Sequence, residues 1–201
     1  MLPYNYSNKT VEQIMELIND DYKRQLQEMH ATHKKFSRSG GKKLKLIERF
    51  ITQYTPTSVI DFGCSHGELL PLLVEHYSIR AVGYDPGVVE FENIPTTAVD
   101  CLTSTDVLEH VEPEMIDDTL KIINTLFTKS AFLLIASYPA KKSLPDGRNA
   151  HLIIESFNWW KNKLETFIDG KIVRADTSPI TRSPKKGPTI SGHEYIFVIE
   201  K

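Results

Sequence analysis

A glycine-rich turn between a strand and a helix constrains the fold of this chain more than any other segment. Val59-Ile-Asp-Phe-Gly-Cys-Ser-His-Gly67 begins within a short apolar strand, Ser58–Phe62, and turns through two glycines into a helical pattern over 68–77. The next strand pattern, 79–84, ends at Asp85-Pro-Gly87. Glycines let backbone N–H groups approach a ligand, and an acid after the second strand can accept hydrogen bonds from ribose hydroxyls. This order predicts a nucleoside-binding crevice at the carboxyl ends of parallel strands.

Strand and helix patterns alternate through most of the remaining chain. Strands are predicted over 98–105, 131–137, 171–176 and 194–200, and helices over 114–127 and 155–168. Such alternation predicts an α/β fold with a Rossmann-like, doubly wound and mostly parallel sheet. Since the last two strands have no helix between them, we expect one antiparallel strand near the C-terminus. The strand over 131–137 is almost wholly apolar, which predicts a central position.

The segment before the turn has a helical pattern. Apolar residues at three- and four-residue spacings over 9–35 predict an amphipathic helix that begins near Asn8 or Thr10. The stretch Ser37-Arg-Ser-Gly-Gly41 is expected to interrupt it. A second helix is then predicted to end before Pro56.

Composition is typical of one globular domain. The chain has 201 residues, of which 40% are hydrophobic and 25% charged, which argues against disorder. We predict a single domain over 1–201, with 1–40 as a helical N-terminal extension and 41–201 as the ligand-binding core. No apolar run approaches the roughly 20 residues of a membrane span, and the polar start lacks a signal-peptide pattern. The two cysteines, Cys64 and Cys101, favour a reducing, cytoplasmic location.

The net charge of −2 conceals a strong segregation of charge along the sequence. Tyr22–Arg49 has nine basic residues and two acids, whereas Ala81–Leu120 has ten acids and no Lys or Arg. The balance reverses in Lys171–Lys186, with five basic residues and one acid. Solvated helix faces explain many such runs. The alternative is that basic segments cover the binding site of an anionic acceptor.

Two other chemistries use a glycine turn of this kind. A dinucleotide site prefers G-x-G-x-x-G, and glycines at 63 and 67 with Ser65 between them fit that spacing poorly. The same turn reads G-x-S-x-G, the nucleophile elbow of α/β-hydrolases, which makes Ser65 a candidate nucleophile. Its partners in chain order would be Asp106 or Asp146, then His151 or His193. That fold needs strands before the elbow, and 1–56 shows helix patterns, so the hydrolase is kept as an alternative.

Three sequence blocks together resemble the class I S-adenosylmethionine (SAM)-dependent methyltransferases, including bacterial and phage methyltransferase-like proteins. Asp61–Gly67 is similar to their first motif, acid-x-Gly-x-Gly-x-Gly, with Ser65 in place of the central glycine. Tyr84-Asp-Pro86 is similar to the ribose-binding block after their second strand. Asp106-Val-Leu-Glu-His-Val111 is similar to the D-V-L-E-H-[VI] block after their fourth strand. The resemblance covers roughly 44–200.

The resemblance implies SAM as cofactor and a set of site residues. The cofactor-binding residues implied by the motifs are Asp61, Gly63, Cys64, Ser65, Gly67, Asp85, Pro86 and Asp106. Methyl transfer from a sulfonium needs an in-line acceptor, and a base only where the acceptor is a hydroxyl or a protonated amine. The candidates for catalysis are Asp106, His110 and His151; no metal site is predicted. Local helix-end or turn structure is the alternative for each of them.

The chain departs from the family pattern in one spacing, and the resemblance does not identify the methyl acceptor. Only twenty residues separate Asp85 from Asp106, so either the helix between them is reduced to a turn near 87–93 or the third strand of the family is missing. The segment Leu144–His151 is expected to form a loop over the site. We expect an O- or N-methyltransferase for a small, glycan-like or nucleotide-containing acceptor. A nucleic acid is not the favoured partner, no membrane partner is predicted, and a SAM-binding regulatory module without catalysis is the second alternative.

Overall fold

The computed structural model describes residues 17–32, 40–183 and 189–201. They form five helices and six strands: α1 Asp20–Thr32, α2 Gly40–Tyr54, β1 Ser58–Phe62, α3 Leu69–Tyr77, β2 Arg80–Tyr84, β3 Val99–Thr105, α4 Ile116–Leu126, β4 Phe127–Ser137, α5 Phe157–Phe167, β5 Lys171–Arg182 and β6 Ile190–Glu200. From Ser58 onward, every strand and helix predicted from the sequence pattern is present.

The six strands form one sheet in the order β2-β1-β3-β4-β6-β5. The pairs β1·β2, β1·β3 and β3·β4 are parallel, whereas β6 runs antiparallel to both of its neighbours. The predicted α/β class and its one antiparallel strand are therefore confirmed. The apolar strand β4 lies between β3 and β6, which confirms the central position expected from its composition.

Helices cover both faces of the sheet because each presents one apolar stripe. On one face, α4 and α5 pack against β1, β3, β4 and β6 through residues such as Leu120, Ile123 and Trp160. On the other face, α2 and α3 contribute Ile47, Phe50 and Leu73 to a second apolar cluster. Trp160 is fully buried in this layer, where it packs as part of the core. The layers leave the carboxyl ends of the parallel strands at one open edge.

The N-terminal helices begin at different residues from those expected. Leu17–Asn19 are not helical, and α1 begins at Asp20 because the Asn19 Oδ1 accepts the N–H of Tyr22, 2.8 Å away, as an N-cap. The caps proposed at Asn8 and Thr10 lie outside the described residues. Gly40 and its neighbour Gly41 were expected to break the helix, but they form the first turn of α2. Glycine is tolerated there since a first turn carries few intrahelical hydrogen bonds.

The connection between β2 and β3 is too short to contain a further strand of the sheet. Residues 85–98 contain a single 3₁₀ turn, Val89–Phe91, with no α-helix and no strand. Consequently β2 is an edge strand. The helix is therefore reduced to a turn and the third strand of the family is also absent, so both alternatives expected from the short spacing occur together. Asp100 lies at the opposite end of β3 from the open edge and accepts the N–H of Thr57.

The last two strands form a hairpin that extends past the sheet at its open edge. Ser137, the last residue of β4, pairs with His193, and the β5–β6 ladder continues beyond that pair to Arg182 and Ile190. Arg182 and Ile190, the last paired residues of the hairpin, thus lie on the same side as the carboxyl ends of β1–β4. Lys185 and Lys186, in the connection between β5 and β6, lie outside the described residues.

Candidate active site

A cavity opens at the carboxyl ends of β1, β2, β3 and β4. Its volume is about 680 Å³, within the usual range for small-molecule sites. The turn after β1 and the end of β2 form one part of its wall, and the segment after β3 with the loop before α5 forms another. Among its lining residues are Gly63, Asp85, Asp106, His110, Lys142 and His151.

The turn after β1 is fixed by backbone hydrogen bonds and close packing. Gly63 has a φ of 80°, and its N–H and that of Cys64 donate to the carbonyl of Tyr84 at 2.7 and 3.0 Å. A Cβ on Gly63 would lie 2.2 Å from a methyl group of Val107. Ser65 and Gly67 also have positive φ values, 53° and 70°. The turn can therefore approach a ligand closely only with glycine at position 63.

Asp85 lies in the cavity wall with its carboxylate held in place. Its Oδ2 accepts the N–H of Ser65 at 2.7 Å and its Oδ1 accepts the N–H of Gly87 at 2.9 Å. The Nε2 of His30 lies 3.9 Å from Oδ1. Asp85 is 8% exposed and Pro86 lines the cavity beside it. An anchored carboxylate at the end of β2 fits two ribose hydroxyls, which are hydrogen-bond donors.

Behind this wall, Asp61 forms a buried pair with a lysine that the sequence analysis did not select. Its carboxylate is fully buried, 3.7 Å from the Lys43 Nζ and 3.2 Å from the Thr103 Oγ1. Lys43 also donates to the carbonyl of Gly63 at 3.2 Å. Burial raises the pKa of Asp61, and Lys43 opposes that shift. The pair supports the glycine turn from below, and burial raises the pKa of the Cys64 thiol, which argues against a reactive cysteine.

The second part of the cavity contains two histidines in contact. The rings of His110 and His151 are 4.7 Å apart at 87°. Each Nδ1 lies against a backbone carbonyl, that of Ala150 at 2.7 Å for His110 and that of Tyr138 at 2.6 Å for His151. A carbonyl oxygen only accepts, so both rings carry the proton on Nδ1. Burial and the neighbouring His151 lower the pKa of His110 to about 4, which keeps it neutral.

Two carboxylates flank these histidines. Asp106 lines the cavity with a φ of 61°, and its N–H donates to Leu134 of β4 at 3.0 Å. Glu109 is fully buried in the short 3₁₀ helix Leu108–His110. Burial, followed by the nearby Asp106, raises the pKa of Glu109 well above its usual range. Helix α4 begins only at Ile116, so neither acid lies in its first turn.

Helix α1 and the segment before it cover the cavity. Leu17, Tyr22, Leu26 and His30 line it, and the hydroxyl of Tyr22 donates to the carbonyl of His110 at 2.6 Å. Tyr22 also packs with Leu144 and Ala150 of the predicted loop, which does lie over the site. Sequence reasoning placed Tyr22 on the apolar stripe of the helix but did not place that stripe on the site.

The sequence-predicted residues fall into two groups in space. Gly63, Asp85, Pro86, Asp106, His110 and His151 line the cavity. Asp61, Cys64, Ser65 and Gly67 lie behind its wall in the turn after β1. Asp61, Cys64 and Ser65 are buried. The structure thus brings both ends of the predicted site into one crevice. The hydrolase alternative is not supported, because the described residues before β1 form helices rather than strands.

The turn, the acid after β2 and the block after β3 are the arrangement of a nucleoside-dependent group-transfer enzyme on a Rossmann-like sheet. A family model described as a methyltransferase domain matches residues 22–169. The chain therefore belongs to this methyltransferase family. No match is found among curated protein sequences.

Solved structures share the fold at low sequence identity. A SAM-dependent methyltransferase from Archaeoglobus fulgidus is 17% identical, with a TM-score of 0.53 over 86% of this chain and 99% of that one. The 1,6-didemethyltoxoflavin-N1-methyltransferase of Burkholderia thailandensis is 13% identical, with a TM-score of 0.57 over 99% and 93%. A putative O-methyltransferase from Nostoc punctiforme is 14% identical, with a TM-score of 0.52 over 80% and 56%.

Proposed function

We propose that this protein transfers the methyl group of SAM to an oxygen or nitrogen atom of a small, glycan-like or nucleotide-containing acceptor. One observation carries the proposal: a single cavity joins the anchored carboxylate of Asp85 to the cluster formed by Asp106, His110 and His151. The first suits the nucleoside end of SAM. The second lies where the cavity has room for an acceptor.

The residues at the nucleoside end bind and orient the cofactor. SAM supplies a methyl group on a positively charged sulfur, which is a good leaving group. Asp85 accepts hydrogen bonds from the ribose hydroxyls, and the turn at Gly63 lets the backbone approach the amino-acid portion. The acidic segment Ala81–Leu120 places negative charge near the sulfonium, which favours a cationic ligand there.

The residues at the other end position the acceptor and take up a proton. Transfer requires the acceptor atom about 3 Å from the methyl carbon and in line with the sulfur. His110, which is neutral, and His151, together with the carboxylate of Asp106, are the groups able to accept a proton from a hydroxyl or ammonium. Lys141 and Lys142 also line the cavity, which supports an anionic acceptor.

Three observations bear on the location and partners of the protein. In the part of the chain that the structure describes, no helix is both long and apolar enough to span a bilayer. Both cysteines are free and buried, which supports a reducing, cytoplasmic location. A small molecule is favoured over nucleic acid because the site is a cavity rather than an extended basic surface.

Calorimetric titration with S-adenosylhomocysteine tests the cofactor site. We expect a micromolar dissociation constant, and Asp85→Ala weakening it by about a hundredfold or more through the loss of charge-assisted hydrogen bonds. Asp118→Ala, an exposed aspartate on α4, should bind like the wild type. Since Asp85 also anchors two backbone N–H groups, Asp85→Asn is tested alongside, with thermal unfolding as a check on folding. A well-folded wild-type protein that does not bind contradicts the proposal.

Methyl transfer itself is tested in an extract of the source cells. Purified protein and isotope-labelled SAM are added, and mass spectrometry identifies the product that gains the labelled methyl group. The Asp85→Ala variant should give no labelled product. Binding of S-adenosylhomocysteine without turnover across many acceptors would instead indicate the regulatory SAM-binding module.

A further inference from the structure

Three side chains at the acceptor end of the cavity place atoms that can bind a metal ion close to one another. Glu109, His110 and His151 each offer one nitrogen or oxygen atom, and these atoms all lie within 4.8 Å of one another. They come from the segment after β3 and from the loop before α5, which meet over the ends of the strands. Both histidines also line the cavity.

The two histidines are oriented as metal ligands usually are. Each Nδ1–H donates to a backbone carbonyl, Ala150 for His110 and Tyr138 for His151. This fixes each tautomer, so the lone pair of each imidazole is on Nε2. Metal-binding histidines typically have such a hydrogen bond, which sets the ring orientation and increases the basicity of the coordinating nitrogen. The edge-to-face packing of the rings keeps both side chains in one place.

Glu109 supplies an independent observation. Its side chain is 0% exposed, and its Oε1 accepts the N–H of Ala136 at 3.0 Å. Its Oε2 is buried without a hydrogen-bond partner among the described residues. Leaving a carboxylate oxygen buried and unpaired is costly, and a bound cation is a common way to satisfy it. One carboxylate oxygen of Glu109 lies within 4.8 Å of a ring nitrogen of each histidine.

We propose that Glu109, His110 and His151 bind one divalent transition-metal ion, and that its remaining positions bind the oxygen of the methyl acceptor. The second half rests on the proposed methyltransferase function. Two nitrogens and one carboxylate oxygen favour Mn²⁺, Fe²⁺, Co²⁺ or Zn²⁺ over Mg²⁺ and Ca²⁺, which prefer oxygen ligands. Bonds of about 2.1 Å need donor atoms about 3–4 Å apart, a small approach from their present positions.

The proposed metal specifies the class of acceptor. Three protein ligands leave up to three positions on a six-coordinate ion, so a molecule with two neighbouring oxygens can chelate it. A vicinal diol or a catechol meets this requirement, and a lone amine does not. The proposal therefore narrows the acceptor from oxygen or nitrogen to a hydroxyl next to a second oxygen.

Methyl transfer then proceeds by loss of the acceptor proton and displacement at the methyl carbon. Coordination lowers the pKa of the acceptor hydroxyl, and its proton passes to the carboxylate of Asp106, which lines the cavity beside the site. The acceptor oxygen forms a bond to the methyl carbon, the carbon–sulfur bond breaks, and its electron pair stays on sulfur. The products are a methyl ether and S-adenosylhomocysteine, and Asp106 returns the proton to solvent.

Cobalt binding tests the site without any acceptor. The full chain is stripped with a chelator, dialysed, and titrated with Co²⁺ by calorimetry and visible absorption. We expect one Co²⁺ per chain with the absorption bands of a site that contains nitrogen ligands. His151→Ala and Glu109→Gln should each weaken binding by about a hundredfold or more, as loss of a ligand exceeds the effect of outer-shell changes. The exposed His76→Ala on α3 is the matched control and should bind Co²⁺ like the wild type.

The same samples separate this proposal from the proposed function. S-adenosylhomocysteine titrated into stripped protein and into His151→Ala should bind as in untreated wild type, and thermal unfolding checks that both variants fold. If the wild type binds S-adenosylhomocysteine but takes up no Co²⁺, or if His151→Ala and Glu109→Gln bind Co²⁺ unchanged, the metal site is wrong. If S-adenosylhomocysteine does not bind to folded wild type, the proposed function fails instead, whatever Co²⁺ does.

Discussion

Gly63 and Gly147 have similar backbone angles but different surroundings. Their φ values are 80° and 89°, a region that costs an L-residue about 1–2 kcal/mol. An added Cβ at Gly63 would lie 2.2 Å from Val107, whereas nothing lies within 4 Å of one at Gly147. We therefore expect Gly147→Ala to lower the free energy of unfolding by only about 1–2 kcal/mol, and Gly63→Ala by about 1–3 kcal/mol more through overpacking.

Urea unfolding measures both changes, and calorimetry with S-adenosylhomocysteine measures their effect on the site. Gly63→Ala should also lose cofactor affinity because the turn must shift, while Gly147→Ala should keep it. Equal losses of stability in the two variants would mean that backbone strain, rather than contact with Val107, limits position 63.

Lys43 and Asp61 form a pair whose contribution depends on pH. Burial raises the pKa of Asp61 above its unfolded value, so the folded state holds a proton that the unfolded chain releases, and stability falls as pH rises through the folded pKa. Lys43 limits this loss. In Lys43→Met the pKa of Asp61 rises further, so the variant should lose up to about 3–5 kcal/mol relative to wild type at neutral pH and much less near pH ~4.

Urea unfolding without ligand between pH 4 and pH 8 tests this prediction. The double variant Lys43→Met with Asp61→Asn should remove the pH dependence of the difference, because no buried carboxylate remains. A difference between Lys43→Met and wild type that stays constant with pH would show that lost packing, rather than charge, is the cause.

At the scale of elements, the stability of α1 determines how firmly this helix covers the cavity. Asn19 caps the helix through Tyr22 and donates its own N–H to Glu112, which precedes α4, at 3.0 Å. Asn19→Ala should cost about 1 kcal/mol of cap energy and loosen the cover over the cavity. Hydrogen–deuterium exchange should then be faster for the amides of α1 than in wild type, with Asn162→Ala, exposed within α5, as the control. Unchanged exchange in α1 would mean that packing of Tyr22 holds the helix without the cap.

Most elements after Ser58 follow from local pattern, and the exceptions have physical causes. The apolar run of β4 and the stripe of α4 depend on burial in a sheet, which periodicity reports directly. The start of α1 does not follow from local pattern, because its cap at Asn19 is held by a hydrogen bond to Glu112, which lies 93 residues away in the sequence. The lost third strand could be predicted as an alternative, since the number of residues available sets a limit on what can form.

The site was predictable where backbone geometry determines it and less so where distant segments meet. The turn at Gly63 and the acid at Asp85 follow from the order strand, turn, helix and strand. The burial of Glu109 and its meeting with His151 depend on how the loop before α5 folds back over β3. Lys43 gave no signal at all, because a lysine in a helix is usually exposed. Motifs therefore located the cofactor end, while tertiary packing assembled the acceptor end.

For the whole molecule, the uneven charge of the sequence is reflected in the cavity. The acidic segment contributes Asp85 and Asp106 to the wall, and Lys141 and Lys142 lie at the rim of the same cavity. Acidic and basic side chains in the wall of one cavity suit a cationic cofactor beside an anionic acceptor. The near-zero net charge therefore conceals a polarity that is local to the site.

The connection between β5 and β6 extends this argument to residues outside the described part of the chain. Ile190 and Glu194, which follow it, line the cavity, so Lys185 and Lys186 are connected to the acceptor side through a few residues. Replacing both lysines with serine should raise the acceptor KM about two- to thirtyfold, in keeping with about 0.2–1 kcal/mol for each charge, and leave SAM affinity unchanged. The effect should shrink in high salt because salt ions screen the attraction between the lysines and an anionic acceptor. Lys171→Ser, at the far end of β5, is the matched control. An unchanged KM in the double variant would assign these lysines to a solvated surface and leave Lys141 and Lys142 as the cations that attract the acceptor.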